Sequence, residues 1–150
     1  MEERSLLLVR IAGEMAAIES ERIQSVVELD NITPVPRAPA HVVGLAALRS
    51  KAMTVVNCRC SLELAASEAV SEGEILALAV VVEIDEYLYA LVVDRVEEVV
   101  PLEGEPAPLR ADLLPGWTRA TLGMVETTAG PALLLDPDQL VAGPSNREAA

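Results

Sequence analysis

Residues 11–29 resemble residues 84–102 at a constant offset of 73 positions, with no gap. Ile11-Ala12-Gly13-Glu14-Met15-Ala16-Ala17-Ile18 lies over Ile84-Asp85-Glu86-Tyr87-Leu88-Tyr89-Ala90-Leu91. The run Arg22-Ile23-Gln24-Ser25-Val26-Val27-Glu28-Leu29 lies over Arg95-Val96-Glu97-Glu98-Val99-Val100-Pro101-Leu102. Ala17/Ala90, Arg22/Arg95, Val26/Val99, Val27/Val100 and Leu29/Leu102 are identities. A solenoid repeats at roughly 20–45 residues, so this longer period predicts two similar units packed together. Two such units leave a groove between them, and that groove is the first candidate for a site.

The core of those units must be built without large rings. The chain is 51% apolar but has no Phe and one Trp, so Val, Leu, Ile and Ala have to fill it. Small and β-branched side chains favour closely packed strands. A formal charge of −13 argues against nucleic acid or an anionic membrane as a partner, because both attract cationic surfaces. No uncharged apolar run approaches the roughly 18–20 residues of a bilayer span. Met1-Glu2-Glu3-Arg4 does not read as a signal peptide, which leads to the expectation of a cytoplasmic protein with no membrane insertion.

Catalytic chemistry finds little support. Cys58 and Cys60 are one residue apart, which suits two reduced thiols rather than a disulfide framework. A structural zinc needs four ligands, and the only histidine is His41. His41 follows Pro39-Ala40 and reads as a surface or strand-edge residue. There is no Gly-rich phosphate loop, and acid pairs such as Glu97-Glu98 read as solvated faces. The expectation is a protein that is not an enzyme, with no catalytic residue, metal or cofactor.

Short apolar runs separated by turn residues predict strands. Leu6 to Ile11 and Met15 to Ile18 flank Ala12-Gly13-Glu14, with Gly13 suited to a tight turn. Ser20 reads as the cap of a helical turn over Glu21 to Ile23, before Val26 to Leu29 resumes extended structure. Asn31 to Pro39, with three prolines, reads as a non-helical connector. Val42 to Arg49 and Ala52 to Asn57 follow as strands around a turn at Ser50-Lys51, and Asn57 can cap a short helix through Leu64. Residues 65–74 read as a boundary. Beyond it Ile75 to Ile84, Tyr87 to Val93 and Arg95 to Leu102 repeat the plan. Glu103 to Gly116 reads as a rigid loop, Arg119 to Val125 and Ala132 to Leu135 as a hairpin, and Asp136 as the cap of a last helical turn at Pro137. These elements predict an all-β chain of two small barrels, each closed by a helical turn: subdomain one at about 13–70, with exchange of the N-terminal strand allowed, subdomain two at about 75–142, and a flexible tail over 143–150.

Charge is distributed unevenly. From Asn31 to Leu62 there is no Asp or Glu, while Arg37, Arg49, Lys51 and Arg59 all fall there. Arg49 ends a strand beside a turn, where its guanidinium either forks onto a partner's carboxylate or pairs internally. For Arg59 internal pairing with an acid such as Asp94 or Glu97 is the expectation.

Three runs carry a family resemblance. Ile32-Thr33-Pro34-Val35-Pro36-Arg37-Ala38-Pro39, Val43-Gly44-Leu45-Ala46-Ala47-Leu48-Arg49 and Val55-Val56-Asn57-Cys58-Arg59 resemble the bacterial chemotaxis coupling protein family, the CheW-like proteins. Val92-Val93-Asp94-Arg95-Val96 and Leu134-Leu135-Asp136-Pro137-Asp138-Gln139-Leu140 are similar to the same family, and the resemblance spans about residues 5 to 142. It implies one CheW-like domain over 1–150, made of two five-stranded SH3-like barrels with short helical turns. It implies a scaffold that couples a chemoreceptor's cytoplasmic tip to the regulatory domain of a CheA-like histidine kinase. By position, Ile23, Gly44, Arg49, Val96 and Val99 would line or flank the groove that receives the receptor tip, and kinase contacts would fall on barrel ends. Ala47, Ser50, Thr54, Asn57, Cys58 and Thr121 depart from the family pattern. A coupling or regulatory module for a non-motility kinase, and a small-molecule-binding barrel, remain as alternatives.

Overall fold

A computed structural model describes residues 4–29, 31–62, 77–108 and 115–143. The described chain runs β1 (Ser5–Ile11), β2 (Glu14–Glu19), a 3-10 turn (Ser20–Arg22), β3 (Ile23–Leu29), β4 (Val42–Leu48), β5 (Lys51–Asn57) and α1 (Cys58–Ser61). It continues as β6 (Ala77–Ile84), β7 (Tyr87–Val92), β8 (Arg95–Pro101), β9 (Glu103–Ala107), α2 (Pro115–Ala120), β10 (Thr121–Thr127), β11 (Gly130–Leu135) and α3 (Pro137–Ala142). The fold is mostly β, with short helices. Residues 65–74, 109–114 and 144–150, read above as boundary, loop and tail, lie outside the described residues.

Two sheets form, ordered β8-β1-β2-β11-β10-β9 and β3-β6-β7-β5-β4. These orders correspond strand by strand. The offset of 73 relates β1, β2 and β3 to β6, β7 and β8; Val42 and Thr121, which open β4 and β10, stand 79 residues apart. The sheets nevertheless cut across the halves read from the sequence. Hairpin β1–β2 joins the sheet of β8 to β11, and hairpin β6–β7 joins the sheet of β3 to β5. Parallel pairing seals each exchange, through Leu133↔Ala16 in one sheet and Val55↔Ala90 in the other.

Exchange explains the unbroken apolar runs. Strands buried on both faces have no need of a polar alternation. On β1, Leu6 and Leu8 face the interior of their own barrel with Val125 and Leu134, while Leu7, Val9 and Ile11 enter the core between the sheets. On β6, Ala79 and Val81 face inward with Met53 and Val55, while Val80 and Val82 enter the same shared core. Trp117 and the two cysteine-side residues Cys58 and Leu62 complete that central cluster.

Four readings are corrected. Glu103–Ala107 is a strand at the edge of its sheet, paired with β10 at Met124↔Ala107, because an edge tolerates Pro106. It makes that sheet six-stranded, where five were expected. Arg119 and Ala120 belong to α2, a helix opened by Pro115, and the strand starts only at Thr121. Ser20 lies inside the 3-10 turn, with Glu19 in the cap position and no capping bond. His41 is 5% exposed, not at the surface: its Nε2 lies 2.8 Å from the Val141 carbonyl of α3, and its ring fills the space against Gly143.

Candidate protein-docking site

β3 and β8 are the terminal strands of the two sheets, and each is paired on one side only. Ile23 at the start of β3 pairs with Val82, and Val96 on β8 pairs with Val9. Both are half-buried against the shared core between the sheets, at equivalent places in the repeat. Three residues further on, Val26 and Val99 turn outward, 43% and 61% exposed. Solvent-facing valines at matching positions on two terminal strands are the apolar surface that a partner helix or strand can desolvate.

Gly44 is buried within β4 under the 31–39 connector. Thr33 and Leu45 exchange two backbone hydrogen bonds of 2.8 Å, and a Cβ on Gly44 would overlap the Thr33 carbonyl. Gly44 therefore shapes the site from beneath, by letting the connector close onto the sheet. Arg49 stands in the β4–β5 turn, on the strand pair at the opposite end of the sheet order from β3. Among the described residues it makes no ion pair and no side-chain hydrogen bond, and it is exposed. Its φ of +52° and that of Ser50, +74°, make a two-residue turn in the left-handed region. Such turns match the twist of a hairpin but are strained for residues with a Cβ. Of the five candidates the structure joins Ile23 and Val96 through one cluster; Val99 lies on the same strand as Val96, and Arg49 stands apart.

Arg59 contrasts with Arg49. Its Nε and Nη2 donate to the two oxygens of Asp94 at 3.2 and 2.6 Å, and the Ala12 amide donates to Asp94 at 2.9 Å. Hydrogen bonding to Asp94 raises the Arg59 pKa. Burial alone would push the Asp94 carboxyl up, but Arg59 and the Ala12 amide outweigh it and hold the group below its ordinary value. Asn57 caps α1 by accepting from the amides of Arg59 and Cys60, at 2.9 and 3.3 Å, as Asp136 caps α3 by accepting from Asp138. An amide thus performs the capping that a carboxylate performs in the other half.

Among the described residues no group of His, Cys, Asp and Glu could hold a metal ion. Cys58 and Cys60 are free thiols, and burial, with Asp94 nearby, pushes Cys58 up to about 12, which leaves it un-ionised and unreactive. No described helix is long and apolar enough to cross a membrane. A depression of about 340 Å³ opens beside the β1–β2 and β10–β11 turns, lined by Arg10, Glu14, Met15, Met124, Pro131 and Leu133 among others. It is a surface feature and not an enclosed chamber with converging polar groups. Sequence reasoning missed this depression, and it missed Tyr87, which is 68% exposed at the start of β7. One of only two tyrosines, placed beside a hairpin turn, was the available signal.

Comparison with known proteins supplies the remaining context. A family model of the CheW-like domain matches residues 5–144. The chain is similar to the chemotaxis protein CheW of Treponema pallidum (strain Nichols), 24% identical over 104 residues. That stretch is 69% of this chain and 61% of the relative, so the match spans less than two thirds of the relative's length. In structure it is similar to the scaffolding protein TtCheW of Thermoanaerobacter tengcongensis, with a TM-score of 0.73, 21% identity and 90% of each chain covered. At that identity the likeness shows the fold, twin SH3-like barrels.

Proposed function

We propose that this chain, which belongs to the CheW-like domain family, is an adaptor without enzymatic activity that couples a chemoreceptor's cytoplasmic tip to a CheA-like histidine kinase. The observation that carries this reading is the pair of equivalent terminal strands, whose half-buried Ile23 and Val96 lead into exposed Val26 and Val99. Each aliphatic anchor contributes about 1.5–3 kcal/mol if a partner desolvates it fully. A few such anchors give moderate affinity, which repetition in an array multiplies. Arg49, exposed and without a side-chain partner among the described residues, supplies a fork for a partner's carboxylate and so sets orientation more than strength.

Binding of a receptor-tip fragment and of a kinase regulatory domain, each measured by titration calorimetry, tests the proposal. Val99→Asp places a charge on the apolar surface, and Arg49→Glu inverts the fork; both side chains are exposed, so neither change disturbs the core. Each substitution is expected to weaken receptor-tip binding by about tenfold or more. Wild-type affinity in both variants removes these residues from the site. Binding of kinase with no affinity for any receptor fragment favours instead a module dedicated to a kinase outside motility.

A further inference from the structure

The β1–β2 hairpin is joined to its own half of the chain by Ser20–Arg22, while its backbone pairs across to β8 and β11 of the other half. That junction is weakly held. No side chain caps the turn, and the Ile23 amide closes it with one bond to the Ser20 carbonyl. The Ser20 and Ser25 hydroxyl oxygens are buried without a hydrogen bond, which costs free energy. The register of β3 on β6 slips between Ile23 and Ser25. Glu19 and Ile23 are already extended, with ψ of 129° and 127°, so straightening the turn would fuse β2 and β3 into one strand. Arg22 to Asp138, at 2.7 Å, is the side-chain tie on this corner. The equivalent corner before β8 is fixed more firmly. There the Val93 amide donates to the Leu78 carbonyl and the Asp94 amide to the Arg10 carbonyl, both at 3.0 Å, and the Asp94 carboxylate accepts from Ala12 and Arg59. The corners are unequal, and the hinge belongs to β1–β2.

We infer that two copies of the chain exchange their N-terminal hairpins, β1–β2 of each completing the six-stranded sheet of the other, with Ser20–Arg22 as the hinge. The seat is the one the hairpin already occupies, so the strand pairs of the single chain are kept, Arg10↔Arg95 and Leu133↔Ala16 included. A short connection under strain invites such an exchange, and reciprocity closes it at two copies. Leu6, Leu8, Val9 and Ile11 are fully buried, so the hairpin leaves its seat only when the cores open. Monomer and dimer therefore interconvert through unfolding, and the concentration at which the chain refolds decides between them. Each lobe keeps its own β3 and β8, so the dimer presents the candidate docking surface twice. The exchange itself does not rest on receptor or kinase binding, and neither partner is present in its test.

Refolding from urea over a concentration series, followed by sedimentation velocity, tests it. Dilute refolding is expected to return single 15.9 kDa chains, and concentrated refolding a pair of chains that survives later dilution. Two variants, Arg10→Cys and Arg95→Cys, each also carrying Cys60→Ala, are then refolded together and oxidised. Residues 10 and 95 face each other across β1 and β8, so a disulfide between the two chains is expected only where one hairpin sits in the other's sheet. Two glycines inserted between Glu21 and Arg22 relax the turn, and are expected to raise the refolding concentration needed for dimer by about tenfold. Wild-type protein that refolds as a monomer at every concentration overturns the inference. So does a dimer in which the two cysteine variants do not link, since its contact is then at a surface. A dimer yield that the glycines leave unchanged overturns it as well.

Discussion

At Asp94 one carboxylate holds three parts of the chain together: the β1–β2 turn through the Ala12 amide, α1 through Arg59, and the corner before β8 on which it stands. Its folded pKa is depressed, so it stabilises the fold above its unfolded value of about 4. That stabilisation is lost as pH falls through the lower, folded value. Asp94→Asn is expected to cost about 1–2 kcal/mol at neutral pH, allowing for partial exposure. Urea unfolding at pH 7 and again in acid checks this: the gap between variant and wild type should shrink in acid, and an equal gap at both would show that the charge is not what matters. The matching contact in the other half has its charges reversed. There Asp138 lies on the helix and Arg22 on the corner before β3, joined at 2.7 Å. The repeat has kept the junction and exchanged the signs, and Arg59 has the internal partner expected of it from the sequence.

The helices hold the two barrel ends against each other, and one side chain does much of it. From α2, Arg119 donates to the Gln139 carbonyl at 2.7 Å and to the Ser61 carbonyl, so it meets C-terminal carbonyls of both α1 and α3. Ser61 Oγ adds a 2.6 Å bond to the Leu140 carbonyl, and Gly116 lies where a Cβ would overlap the Leu62 backbone. Arg119→Met removes the donors and takes from the Ser61 carbonyl its Arg119 partner, while the Gln139 carbonyl keeps the 3.0 Å bond from the Gly143 amide, at an expected cost of about 1–3 kcal/mol. Trp117, the only tryptophan and 3% exposed on the same helix, reports the result. A lower denaturation midpoint with red-shifted Trp emission is expected; unchanged values of both would show that packing alone holds α2. The helix was invisible in the sequence because Pro115-Gly116-Trp117-Thr118-Arg119-Ala120 has weak helix propensity, and its support comes from Ser61 and Gln139, far away in the chain.

For the molecule as a whole, exchange of hairpins means that neither half of the chain contains a complete sheet. Residues 1–62 lack the β6–β7 hairpin that lies between β3 and β5, and residues 77–150 lack the β1–β2 hairpin between β8 and β11. Each fragment alone is expected to be unfolded by circular dichroism, and the two refolded together are expected to recover the β spectrum. A fragment that folds alone with a cooperative transition would mean that the halves, not the exchanged sheets, are the stable units.

The strands, their hairpin turns and the twofold plan were legible in the residues, because alternation, turn chemistry and capping at Asn57 and Asp136 act over a few neighbouring positions. Ile23, Val96 and Val99 are candidates through the family resemblance, and Ile23 and Val96 also recur at one place in the repeat. Partnership between distant segments carries no such signature. That the whole β1–β2 hairpin would cross to the other half, that His41 would lie beneath Gly143, that Asp94 and not Glu97 would be the partner of Arg59, all depend on which surfaces meet when two nearly equivalent halves pack. A hairpin with both faces apolar fits against either half, and only the total burial achieved by the assembled chain selects between them.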